Sequence, residues 1–353
     1  MLKIVSIMMF AVLSACSKPP MAPVSKAVHR PLISETFMTD RNEADNVDAP
    51  AIWHGPHGEH WLVATAKKTD GLIISDAATG KFIKRIGGTG AEPGKLRRPN
   101  NALVLDDMLF VVERDNHRVQ VFSLPEFKSI FVFGEQELKK PYGISLYKSS
   151  PDSIVCYITD NYELTKDSIP PPSMLGQRIR QYHITMRSRK LSATPVRAFG
   201  DTSGSGVLYT VESIYVDPVY NRILIADEYE RQNNIKIYTL DGTFTGQVIG
   251  YGLFKTQPEG IALWTCGDSA GYWITTDQSH TENVFHIFDR QFLQPVASFC
   301  AVNIRNTDGV ALTTRSFGPF SAGAFYAAHD DGNIGALSLK SIRDSTRIQF
   351  ECP

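Results

Sequence analysis

Gln257-Pro258-Glu259-Gly260-Ile261-Ala262-Leu263-Trp264 joins one polar residue to a small one and then to a short apolar run, and the chain repeats this phrase. Aligned on the polar residue, the copies start at Asp48, Asn100, Tyr142, Glu212, Glu259 and Asp308, with gaps of 52, 42, 70, 47 and 49 residues. A strand-like repeat of about 40 to 50 residues marks a β-propeller, in which each repeat folds as one four-stranded blade. The expected fold is therefore all-β: a six-bladed β-propeller with four-stranded blades. After Glu259 the residues divide into four strands, Ile261–Trp264, Tyr272–Thr276, Val284–Phe288 and Val296–Phe299, separated by Gly, Asp and Ser.

The first strand of a blade lines the central channel and the second runs antiparallel to it. The start of the first and the end of the second then share one rim. The first register is the polar series already given. The second reads Lys67-Lys68, Glu113-Arg114, Asp160-Asn161, Asp227-Glu228, Asp277-Gln278 and His329-Asp330-Asp331. Acids and bases from six remote segments thus meet at one channel mouth, which suits hard cations and phosphate oxyanions together. An acid at a strand end also serves simply to bond a nearby backbone N–H.

The chain begins with Lys3, an apolar run over Ile4–Leu13 and then Leu13-Ser14-Ala15-Cys16, which resembles a bacterial lipobox. Residues 1–15 read as a signal peptide and Cys16 as the lipidated terminus. Residues 16–35, with four prolines, read as a tether, and 36–353 as the propeller. Ser17 in place of Asp favours the outer membrane, with the lipid as the sole membrane contact and a monomer as the expected state. A net charge of -1 argues against a nucleic-acid partner. Cys156, Cys266, Cys300 and Cys352 allow three disulfide connectivities, and none has the spacing of a zinc ligand.

Three other segments carry less. The histidines of His54–His60 fall in the hairpin on the opposite rim, where Gly and Pro are turn chemistry. Gly88–Leu96 has Leu96 where a phosphate loop needs Ser or Thr. Gly90–Leu96, RPNNALVL and RDNHRVQVF together resemble NHL-repeat propellers over the second blade only. Tyr162–Gln177, with three consecutive prolines, accounts for the 70-residue gap and leaves from the rim of the two registers. No GxSxG elbow is present.

From Asp45 onward the phrases resemble, in order, those of the β-propeller phytases, six-bladed calcium-dependent phosphatases acting on inositol phosphates. The matching segments are NVDAPAIW from Asn46, KKTDGL from Lys67, PYGISLY from Pro141, YNRILIADE from Tyr220, PEGI from Pro258, TDQ from Thr276, FDR from Phe288 and TDGVAL from Thr307. The resemblance implies calcium held by Asp48, Glu212, Asp227, Glu228, Glu259 and Asp308. It implies a catalytic set of Glu212, Asp227 and Glu259, and substrate phosphate held by Lys67, Lys68, Arg114, Tyr142 and Gln278. The expected partner is a phosphorylated small molecule. Ala49, Gln257 and Ser213 depart from the family pattern, and the loss of ligand charge implies weaker or fewer calcium ions. Two other functions fit the same scaffold: a non-catalytic NHL-like binding propeller, and a six-bladed calcium lactonase, which needs no ring of Lys and Arg.

Overall fold

A computed structural model describes residues 30–349 except 167 and 189. The signal peptide, Cys16 and Cys352 lie outside the described residues. Six sheets, each built on four antiparallel strands, form the six blades of a propeller. Each inner strand begins within two residues of the polar residue of one copy of the repeated phrase: Val47–His54, Pro99–Leu105, Pro141–Ser150, Val211–Asp217, Gln257–Cys266 and Val310–Thr313. The four strands expected after Glu259 all lie within observed strands.

The stability of this arrangement lies between the blades. Six apolar clusters occupy the six blade interfaces. For example, Tyr157 and Ile179 of blade 3 pack with Ile223 and Ile225 of blade 4. Leu224 and Ala226, one residue out of phase, face Trp273 and Phe288 of blade 5. A strand buried on both faces carries apolar residues at every position, and Arg222–Asp227 is buried throughout. The period-2 alternation decides which interface each side chain enters.

Blade 6 takes its outer strand from the start of the propeller, Phe37–Met38, which pairs antiparallel with Gly335 and Ala336. Leu32–Ile33 adds a fifth strand to blade 5, parallel to Cys300–Ala301. The tether assigned to residues 16–35 therefore ends earlier than expected, because Leu32–Ile33 is already part of a sheet and Glu35 accepts hydrogen bonds from the Asn303 and Ile304 N–H groups. A helix over Leu339–Thr346 packs Leu339 and Ile342 into the cluster between blades 5 and 6. No helix among the described residues is long and apolar enough to cross a membrane. Cys266 is disulfide-bonded, whereas Cys156 and Cys300 are buried free thiols.

Candidate metal and anion site

The ladder between first and second strands breaks at the same place in five blades. Register shifts fall between Val47 and Pro50, Pro99 and Asn101, Pro141 and Ile144, Val211 and Ile214, and Pro258 and Ile261. Asp48, Asn100, Tyr142, Glu212 and Glu259 sit inside these bulges, which re-aim a side chain away from the ladder. Neighbouring stations are tied through their backbones: Gly260 N–H donates to the Asp308 carbonyl and Gly309 N–H to that of Asp48, both at 2.9 Å. Gly143 is required for a related reason, since a Cβ there would collide with the Glu212 carbonyl oxygen of the next blade. The mouth is thus held by main-chain contacts rather than by flexible loops.

Five carboxylates converge there. Ligand oxygens of Glu212, Glu228 and Glu259 lie within 4.8 Å of one another. Asp48 Oδ1 accepts from Lys67 Nζ at 2.9 Å and from the Tyr142 hydroxyl at 3.4 Å. Asp308 Oδ1 accepts from the Gln278 amide at 2.9 Å. Asp48 Oδ2, Asp308 Oδ2 and Glu228 Oε1 are buried without a hydrogen-bond partner. Such atoms carry a desolvation cost that a cation or a proton would relieve.

The electrostatics follow from this crowding. Burial, reinforced by Glu212, Glu259 and Asp308, pushes the Glu228 carboxyl well above the usual carboxylate range. Burial and then Glu212, Asp308 and Asp48 do the same to Glu259. Glu212 is raised to about 7, again chiefly by burial, with Lys67 working in the opposite direction. Burial disfavours the charged form of Lys67, but Asp48, Asp308 and Glu212 outweigh it and hold the ammonium charged. Burial beside four carboxylates keeps the Tyr142 hydroxyl protonated.

Asp227 is not in this group. Its carboxylate accepts from the Tyr209 and Thr210 N–H groups, both at 3.0 Å, and is paired with the buried ammonium of Lys236. The catalytic and metal roles expected for Asp227 are therefore corrected: it is one residue out of phase with the mouth, and Glu228 takes the place beside Glu212 and Glu259. The same device recurs around the ring. Glu113 accepts from Arg97 N–H and pairs with Arg118. Asp160 accepts from Lys139 and Lys140 N–H and pairs with Arg180. Asp277 accepts from Lys255 and Thr256 N–H and stands 3.9 Å from His286. Each of these acids clamps the connector that leads into its own blade. In blades 4 and 5 the residue that follows the clamp, Glu228 or Gln278, is the one that reaches the mouth.

Two substrate-binding expectations also change. Lys67 enters the mouth while its neighbour Lys68 is exposed, and Arg114 is occupied by Asp115 at 2.6 Å. A residue that the sequence reading missed is Arg98. Burial raises the carboxyls of both Asp48 and Glu212, and the Arg98 guanidinium works weakly against that rise, so it lies within electrostatic reach of the mouth. It stands two positions before Asn100, outside the apolar phrase that guided the alignment. Its only signal in the sequence is that fixed offset from a ring station.

Beneath the ring the channel is a cavity of about 480 Å³ of mixed lining, with Ile52, Leu103 and Leu312 beside His54, Asn101 and Arg290. The histidine segment lies toward its other end. His54 Nε2 bonds the Thr313 hydroxyl at 2.9 Å and its Nδ1 faces His60 Nδ1 at 2.7 Å, so the pair is engaged in a cross-strand contact away from the acidic mouth. Tyr162–Gln177 is anchored rather than loose at its ends, with Tyr162 donating to the Met174 carbonyl and Leu175 fully buried. No family model and no curated protein matches the chain.

Proposed function

We propose that the protein is a calcium-dependent phosphomonoester hydrolase of the phytase-like type. The observation that carries this reading is the triad of Glu212, Glu228 and Glu259, set in a mouth that also buries Asp48, half-buries Asp308 and holds Lys67 charged. The fit to calcium rests on the donors: oxygen atoms only, all from carboxylates in the triad, with Glu228 Oε1 in the triad and Asp48 Oδ2 and Asp308 Oδ2 beside it lacking partners. Glu212, Glu228 and Glu259 would hold the ion, with the unpartnered oxygens of Asp48 and Asp308 adding negative charge at the same mouth. When bound, calcium would neutralise phosphoryl oxygens and acidify a water. Lys67, oriented by Asp48 Oδ1, presents an ammonium toward the oxyanion. Tyr142 supplies a hydroxyl that stays protonated and can donate to the same group. The Gln278 amide fixes Asp308 Oδ1 and leaves Oδ2 to face the ligand. The buried cation favours a phosphate ester over a lactone, whose hydrolysis needs no such group.

The decisive assay is hydrolysis of phosphomonoesters, phytate among them, with added calcium and again with chelator. Turnover that appears with calcium and vanishes with chelator is expected. Turnover indifferent to both, or none with any ester, would leave the binding propeller as the better reading.

We also propose that the protein is an outer-membrane lipoprotein, on the Leu13–Cys16 box and the charged, apolar segment before it. The variant Cys16→Ala should move from the membrane to the soluble periplasmic fraction. A variant that stays with the membrane as wild type does would refute the anchor.

A further inference from the structure

The cations of the mouth differ in what already holds them. Lys67 is paired with Asp48 and Arg114 with Asp115. Arg98 is the exception. Its Nε is buried without a hydrogen-bond partner, and no described carboxylate forms an ion pair with its guanidinium. Its backbone is held at φ 47°, in the left-handed region that a bulky residue rarely adopts, by an N–H bond to Asp70 Oδ1 at 2.7 Å and by Arg114 N–H donating to its carbonyl at 3.1 Å. The conformation is thus over-determined by its surroundings, as expected where a side chain must be aimed.

Two residues along, Asn100 is fully buried and neither its amide nitrogen nor its amide oxygen has a partner. A buried amide left wholly unsatisfied is uncommon in a folded protein and calls for a ligand or a water. Two unpartnered donors, one cationic in the connector just before the inner strand Pro99–Leu105 and one neutral at that strand's start, therefore stand two residues apart.

We infer that Arg98 and Asn100 form an oxyanion subsite in which the guanidinium and the Asn100 Nδ2 hydrogens bind the oxygens of one phosphoryl group of the ligand. The identity of that oxyanion rests on the phosphohydrolase reading. The subsite itself rests on the unpartnered donors. It assigns to Arg98 the anchoring role that the sequence had given to Arg114, and it sets that anchor on blade 2, apart from the triad on blades 4 and 5. A planar guanidinium matches two phosphate oxygens at once, which a lysine cannot do.

The test is calorimetric titration of the full, calcium-loaded chain with inorganic phosphate, with acetate as the carboxylate arm. Arg98→Ala should weaken phosphate binding by about tenfold or more and Arg98→Lys by less. Both variants should keep the wild-type rise in Tm on adding calcium, which shows that they fold and still hold the metal. Phosphate affinity unchanged in Arg98→Ala, or absent in wild type, would overturn the subsite. Acetate binding equal to phosphate, with the same dependence on Arg98, would overturn its phosphoryl assignment. A wild type whose Tm ignores calcium would instead strike the metal reading. The chelated protein must then show the same Arg98 dependence toward phosphate for the subsite to stand.

Discussion

Asp227→Ala is expected to lower stability by about 3–5 kcal/mol, the range for removing one partner of a buried ion pair. In a chain of this size that corresponds to a fall in Tm on the order of 10 °C. The variant strands the Lys236 ammonium, 1 % exposed at its side chain, and removes the acceptor for the Tyr209 and Thr210 N–H groups. The loss should appear equally in chelator and in calcium, because Asp227 does not face the mouth. Thermal melts under both conditions decide the matter. A variant as stable as wild type in chelator, but blind to calcium, would return Asp227 to the metal site.

Glu228→Gln should act with opposite sign. In chelator the three glutamates repel one another in a buried site, so replacing one by a neutral isostere is expected to raise Tm above wild type. In calcium the order should reverse, since an ion bound only to the folded state contributes about 2.7 kcal/mol at a hundredfold excess over its Kd, and the variant forfeits much of that. The acidity of the site gives this a pH signature. A carboxyl whose folded pKa lies above its unfolded value binds its proton more tightly in the folded state, so stability is lost as pH rises through that interval. For Glu212 the interval runs from 4.5 to about 7, set mainly by burial. Chelated wild type should therefore weaken across this range, and Glu228→Gln should weaken less. Identical melts for variant and wild type in chelator at pH 7 would mean that the triad carries no such strain.

The blades were legible because their signal is local: a polar residue followed by a short apolar run, repeated at blade spacing. The first register of mouth residues came with it, since each station is the polar residue of its own phrase. The second register was legible only to within one residue. Asp227 and Glu228 are both acidic and adjacent, and parity alone decides which faces the mouth, a quantity fixed by the pairing of Val211 with Asp227 and the bulge that follows. Arg98 was missed because it lies in a connector with no apolar periodicity. The strand Phe37–Met38 was missed because two residues carry no pattern of their own, and their partner lies at the other end of the chain.

That last pairing bears on how the molecule is made. Phe37 meets Ala336 across 336 − 37 = 299 intervening steps of sequence, and contacts of such separation are the slowest to form. A polypeptide emerging from its amino end exposes this strand before any complete blade, yet the template it completes is synthesised almost last. Until then every nascent intermediate is an open arc with an unpaired sheet edge at one end and an uncovered apolar blade face at the other. Such edges invite wrong pairing. The interval between emergence and closure is thus the period of greatest exposure to aggregation and proteolysis, and a circular permutant that placed residues 30–40 after 349 would shorten it.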